Sequence, residues 1–289
     1  MRVVRNTFLL LCVLAFASCV RTPQPDPGRE PEEEQTPEPE PEPEPEEPKV
    51  KEVPLMAAFT EEFSARQPES FGFTRHDTRP DYRYYSGFPS LSETGKTILM
   101  LRIDPSDAAG ADRGCILTSR DYTYYGSYSA RIRIPDTAGA QPKLGVCADF
   151  SLRDDDPEFG LDECTLSFRL ADPKNVYLRT LRGDPGTEPR AVESVAAPSV
   201  KSFNAASRFY IYGMDWTEGK VVFWMQEKSS SEKTILSECT ENVPSQPLRL
   251  EFRYYYSKLY PAQGDASTVQ APLYPFELEL DWVKYTPAE

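Results

Sequence analysis

Two antiparallel β-sheets packed face to face are the fold that this 289-residue sequence predicts, and three observations predict it. Apolar and polar residues alternate with period two over several runs, turn-forming clusters separate those runs, and no stretch carries helical period. Tyr128, Ala130, Ile132 and Ile134 interleave with Ser127, Ser129, Arg131 and Arg133. Leu248, Leu250, Phe252 and Tyr254 interleave with Arg249, Glu251 and Arg253 in the same way. Phe276, Leu278, Leu280 and Trp282 alternate with Glu277, Glu279 and Asp281, which places Trp282 on the buried side with Trp216. Such alternation buries one face of a strand and wets the other. Between the runs stand DPSDAAGADRG, PDTAGAQP, RDDDPEFG, GDPGTEP and EKSSSEK, whose Gly, Pro, Asp and Ser favour turns. Asp154, Asp155 and Asp156 read as part of such a loop. Sixteen Tyr and fifteen Phe suit pleated strands.

The sandwich does not use the whole chain. Arg2 and Arg5 precede an apolar run over residues 7–16, and small residues lead on to Cys19. This is the three-part pattern of an export signal over residues 1–18, and the run is short for a bilayer span. Phe16-Ala17-Ser18-Cys19 resembles a bacterial lipobox, with Phe where Leu is usual, so Cys19 is the expected lipidation site. Residues 19–54 then form an acidic, Pro/Glu-rich tether. It contains almost nothing apolar to offset its ordering entropy, and its Pro content excludes helix. At about 3.1 Å per residue it reaches roughly 100 Å from its anchor.

Residues 55–289 are enough for one large all-β domain. The formal net charge is −14, with twelve acids against four bases in residues 20–52. The folded part is therefore acidic as well, a poor electrostatic match for nucleic acid, and no nucleic-acid partner is expected. Cys115, Cys147, Cys164 and Cys239 fall in the exported domain, where three disulfide connectivities or free buried thiols remain open. They lack CxxC spacing, and the only His, His76, stands in a polar loop, so neither a zinc site nor a Ser-His-Asp triad is indicated.

The order of the segments resembles glycoside hydrolase family 16, the laminarinase and lichenase type of concanavalin A-like jelly-roll sandwich. FTEEF at 59–63, GCILTSRDYTYYGSYSARIRIP at 114–135, FYIYGMDWTEGKVVFWM at 209–225 and ELELDWVKY at 277–285 carry the resemblance. The family's catalytic strand reads Glu-x-Asp-x-Glu. Residues i, i+2 and i+4 of a strand share one face, and Glu side chains at both ends reach the ~5–5.5 Å carboxyl separation of double displacement. DECTLSFRL at 162–170 falls in this place. The resemblance puts the nucleophile at Glu163, the assisting Asp at Thr165 and the acid/base at Ser167. A hydroxyl is far too weak an acid to protonate a glycosidic oxygen, so the motif reads as degenerate. A shifted register through Glu158 and Asp162 is disfavoured by Pro157 and Gly160.

Other cleft positions read the same way. Ser127 and Ser129 flank Tyr128 where the family commonly has Arg-x-Glu, and Gly145 stands where an aromatic platform is usual. Arg131 is the survivor expected on the wet face. Tyr255, and Tyr85 in a loop, are the aromatic candidates for sugar stacking. The family's outer-face calcium would use Glu62 and Asp281, and no other cofactor is implied. The expected protein is thus a membrane-anchored lipoprotein of the outer membrane or cell surface, which binds polysaccharide as part of a glycan-uptake assembly with partner proteins. A retaining endo-glucanase using Glu163 with an acid from elsewhere is the first alternative. A structural or adhesion protein without sugar binding is the second.

Overall fold

The computed structural model describes residues 49–63, 73–75, 84–87, 97–105, 114–137, 139–258 and 268–289, with backbone alone over 73–75 and 84–87. His76 and Cys19 lie outside them. Among these residues the regular structure is two antiparallel sheets, as expected, with strands numbered β1 to β15 in chain order. One sheet runs β13 (Thr234–Cys239), β12 (Lys220–Gln226), β11 (Tyr210–Thr217), β6 (Gly126–Arg133), β15 (Phe276–Pro287), β4 (Ile98–Ile103), β3 (Tyr84–Gly87). An eighth strand, β1 (Phe59–Glu61), pairs with β15. The other sheet runs β10 (Arg190–Ala196), β9 (Val176–Arg182), β8 (Gly160–Arg169), β7 (Val146–Asp156), β14 (Arg249–Tyr256), β5 (Gly114–Ser119), β2 (Phe73–Arg75).

The period-two apolar residues form the core between the sheets. Tyr128, Ala130 and Ile132 of β6, Leu250, Phe252 and Tyr254 of β14, and Leu166 and Phe168 of β8 are all buried. Phe168 meets Tyr212 of the opposite sheet edge-on, with ring centroids 4.7 Å apart. Burying one such side chain contributes on the order of 1.5–3 kcal/mol. Gly213 lets Trp224 close over β11, because a Cβ there would stand 2.2 Å from the indole ring. The four domain cysteines are free and buried, so the thiol alternative is the one that the structure contains.

The hydroxyls of Tyr212 and Tyr254 are buried with no hydrogen-bond partner among the described residues. An unmatched buried hydroxyl costs about 1–3 kcal/mol. Tyr212→Phe and Tyr254→Phe should therefore each raise the denaturant midpoint at unchanged m-value, by about 1 kcal/mol in stability. A loss of stability in both would show that the hydroxyls are satisfied in solution.

Three local expectations are corrected. The Asp154–Asp156 run continues β7, paired with β8, rather than forming a loop, and Lys51 bridges two of its carboxylates, with Nζ 2.7 Å from Asp154 and 2.5 Å from Asp156. The sandwich's contacts consequently begin before residue 55: the Lys51 amide also donates to Gln246 Oε1 at 2.8 Å. Tyr85 lies on β3 opposite Met100, not in a loop, and so belongs to the eight-stranded sheet. Trp282 is half-buried rather than core. The register with β6 skips from Leu280 to Trp282, and this bulge reverses the parity of β15. Val283 and Tyr285 then point to the core, and Asp281 becomes wholly buried.

Candidate functional site on the outer face of the seven-stranded sheet

The residues that alternate with the core on β7, β8, β9 and β14 form one polar face. Registers set them side by side: Asp149 opposite Ser167 and Arg253, Thr165 opposite Ser151 and Arg179, Glu163 opposite Arg153, and Ser167 opposite Tyr177. A cavity of about 360 Å³ opens on this face, within the usual size range of ligand sites. Asp149, Ser167, Tyr177, Arg179, Val195 and Tyr255 are among the residues that line it.

Thr165 and Ser167 line this cavity, whereas Glu163 is not among the described residues of its wall. The Glu163 side chain is buried and fully engaged. Its Oε1 accepts from Thr165 Oγ1 at 2.6 Å and from Arg179 Nε at 3.0 Å, with a further short contact from Arg179 Nη2. Its Oε2 accepts from Arg153 Nε at 3.2 Å. Burial alone would raise the carboxyl's pKa. The Arg179 charge, the bonds from Thr165 and Arg179, and the Arg153 charge outweigh it and hold Glu163 below its usual range.

Asp149 behaves in the opposite way. It is buried at the cavity wall and accepts a hydrogen bond from Ser167 Oγ at 2.5 Å. Burial raises its pKa, and the opposing Arg253 charge and Ser167 bond do not cancel the rise. Where the resemblance expects a carboxyl at position 167, a hydroxyl stands, and a carboxyl on the neighbouring strand fills the space beside it.

Around these groups the cavity is aromatic and cationic. The Arg169 guanidinium lies 3.7 Å from the centre of the Tyr177 ring, whose hydroxyl donates to Asp172 at 2.6 Å. Arg253 stands over Tyr255 at 5.0 Å. Tyr255 is 9% exposed, so it offers a cavity wall rather than the open surface expected of it. The buried Ser194 Oγ has no partner among the described residues and also lines the cavity.

Several candidates stand elsewhere. Ser127, Ser129 and Arg131 are on β6 with Tyr128 turned to the core, so they occupy the outer face of the other sheet. Arg131 is not on a wet face there: it is buried, packs 4.5 Å over Phe209 and pairs with Asp281 Oδ2 at 2.5 Å. Asp281, one of the two carboxylates expected at calcium, thus takes an arginine. Glu62 follows β1, whose Glu61 pairs with Val283 of the same strand. No cluster of three or more His, Cys, Asp or Glu forms among the described residues. Gly145 cannot be a platform position, since a Cβ there would stand 2.3 Å from Val269. Asp162 points inward and accepts from the amides of Ser245 at 2.9 Å and Gln246 at 3.2 Å. Glu158, four residues earlier, is exposed and lies outside the strand.

Comparison with known proteins decides the lineage of this arrangement. The model of glycosyl hydrolases family 16 matches residues 89–284. The chain belongs to glycosyl hydrolases family 16. Solved structures agree on the fold. A prokaryotic β-1,3-1,4-glucanase (lichenase) from a mouse hindgut metagenome is 17% identical, with a TM-score of 0.54, 81% of this chain covered and 100% of that one. The Bacillus licheniformis β-glucanase is 16% identical at a TM-score of 0.55, covering 81% and 99%. A family 16 endo-glucanase from Bacteroides ovatus is 14% identical at 0.56, covering 78% and 99%. No curated protein sequence matches the chain.

For a family 16 chain, the residues missed from sequence are Asp149, Arg153, Tyr177 and Arg179. The signal was present: in VCADFSLR, Asp149 and Arg153 alternate with Ala148, Phe150 and Leu152, and in VYLRTLR, Tyr177 and Arg179 alternate with Val176 and Leu178. Which strands lie beside β8 was not visible.

Proposed function

We propose that this family 16 domain binds a polysaccharide, a β-glucan or related glycan, without cleaving it, and is held at the outer membrane or cell surface by lipid on Cys19. The carrying observation is the state of Glu163, with both carboxylate oxygens committed to Thr165, Arg179 and Arg153 and its side chain off the cavity wall. A nucleophile must present a lone pair to the anomeric carbon, and a second carboxyl must protonate the leaving oxygen. Thr165 and Ser167 supply neither group. The cavity does suit binding: Tyr177 and Tyr255 give aromatic surface, and Ser194, Ser167 and Arg179 give polar groups for sugar hydroxyls. The acidic tether fits presentation of the domain to glycan and to partner proteins of an uptake complex.

One observation favours the hydrolase as a second reading. Asp149 is a cavity carboxyl with a raised pKa, the property a general acid needs. The two readings separate in one experiment with laminarin, mixed-linkage glucan, agar and carrageenan. Binding predicts retarded migration in affinity gels and no release of reducing ends. Tyr177→Ala should weaken the binding about tenfold, or ~1.4 kcal/mol. Reducing ends that disappear in both Glu163→Gln and Asp149→Asn would establish the hydrolase. A folded chain retarded by none of the polymers would favour the structural or adhesion role.

A further inference from the structure

A second cavity, of about 610 Å³, opens where the chain passes between the ends of the two sheets. Tyr124 and Tyr125, Arg182 at the end of β9, Glu218 in the β11–β12 turn and Asn242 are among its lining residues. None of these lines the cavity on the outer face of the seven-stranded sheet.

Its floor is an aromatic platform fixed from below. The rings of Tyr124 and Tyr125 stack with centroids 4.0 Å apart. Both stand edge-on to Trp216, at 5.6 Å and 4.9 Å. Trp216 is itself buried, and its Nε1 donates to the Pro244 carbonyl at 3.1 Å. The Tyr124 hydroxyl donates to the Ser245 carbonyl at 3.1 Å. Rings held in this way lose little entropy when a ligand lies on them.

Two charged groups beside the platform have hydrogen-bonding capacity left for a ligand, although the Arg182 charge also acts on Asp162 and Tyr125. Arg182 and Glu218 make no hydrogen bond or ion pair among the described residues, whereas neighbouring Arg190 and Asp184 pair with each other at 3.1 Å. Asn242 holds a positive φ of 48° and adds an amide to the rim. One guanidinium, one carboxylate and one amide supply donors and acceptors with no net charge between them. This combination matches a ring with an apolar C–H face and a rim of hydroxyls. A polyanion would meet Glu218 as well as Arg182.

We propose that this cavity is a second saccharide site, which takes a neutral oligosaccharide against Tyr124 and Tyr125 with Arg182 and Glu218 on its hydroxyls. It stands independently of the reading of the first cavity. Two sites on one domain would let a single polymer chain engage twice, with the gain in avidity that linkage brings.

The test is calorimetric titration of the full-length chain in detergent with laminarihexaose, cellohexaose and hexagalacturonate. Four proteins are compared: wild type, Tyr177→Ala, Arg182→Ala with Glu218→Gln, and all three substitutions together. The expected result is residual binding of a neutral hexasaccharide by Tyr177→Ala that falls at least tenfold in the triple variant. Thermal midpoints are measured alongside, because Tyr177→Ala loses the bond to Asp172 and Arg182→Ala loses a charge beside Asp162, and affinities are compared with every variant folded at the titration temperature. If the first cavity binds nothing, wild type and Tyr177→Ala titrate alike and the Arg182/Glu218 pair abolishes all binding, which upholds this site alone. The proposal is overturned if no neutral hexasaccharide binds Tyr177→Ala, if its residual binding is indifferent to Arg182 and Glu218, or if only hexagalacturonate binds.

Discussion

Replacing Glu163 by alanine should destabilise the domain by about 3 kcal/mol, because it removes the buried carboxylate that Arg153 and Arg179 share and leaves them the longer contacts to Asp155 at 3.7 Å and Glu193 at 3.9 Å. The two arginine side chains are 28% and 24% exposed, which places the effect at the lower end for a broken buried pair. For a domain of this size it corresponds to a fall of roughly 6–12 °C in thermal midpoint. The effect also carries a pH signature. Glu163's folded pKa lies below its unfolded value of 4.5, so its stabilisation is fully present above pH 4.5. That stabilisation is lost as pH falls through the folded value. Midpoints of wild type and Glu163→Gln measured from pH 7 to pH 3 should therefore converge at the acid end. A constant gap across that range, or none at pH 7, would remove the ion-pair account of Glu163 and reopen a catalytic one.

Asp281→Ala should cost as much or more, about 3–5 kcal/mol, since it removes the buried carboxylate that pairs with the buried Arg131 guanidinium. Arg131→Met combined with Asp281→Leu should recover most of the loss, because the pair's own attraction barely exceeds its desolvation. Denaturant midpoints of the three variants measure this. If the double variant is no better than Asp281→Ala, the carboxylate has a further role. A rise in the wild-type midpoint with millimolar Ca²⁺, absent from Asp281→Ala, would assign that role to a metal.

Both predictions concern acids that the sequence offers as functional and the fold holds by arginine. Neither arginine arrangement was legible. Arg179 comes 16 residues after Glu163 in the chain and Arg131 comes 150 before Asp281, and only the pairing of strands brings each to its acid. The bulge at Asp281 is equally invisible, since one extra residue reverses parity without altering the local alternation. Tyr255 is legible in the sequence only as an exposed stacking candidate, and its burial in a cavity wall is not.

What the sequence determined by itself is the class of fold and the inner half of the strands that keep one parity, such as β6, β8 and β14, but not of β15 beyond its bulge. Alternation is a local property, and burial of apolar residues every second position follows from the pleat whatever lies beside it. The resemblance of β8 to the family's catalytic strand is also a local feature, with Leu166 and Phe168 inward and Glu163, Thr165 and Ser167 outward. Tertiary structure alone decided what those outward residues do. Whether a carboxylate is a nucleophile or half of an ion pair depends on the charges that neighbouring strands carry to within a few ångströms, and a sequence does not contain that distance.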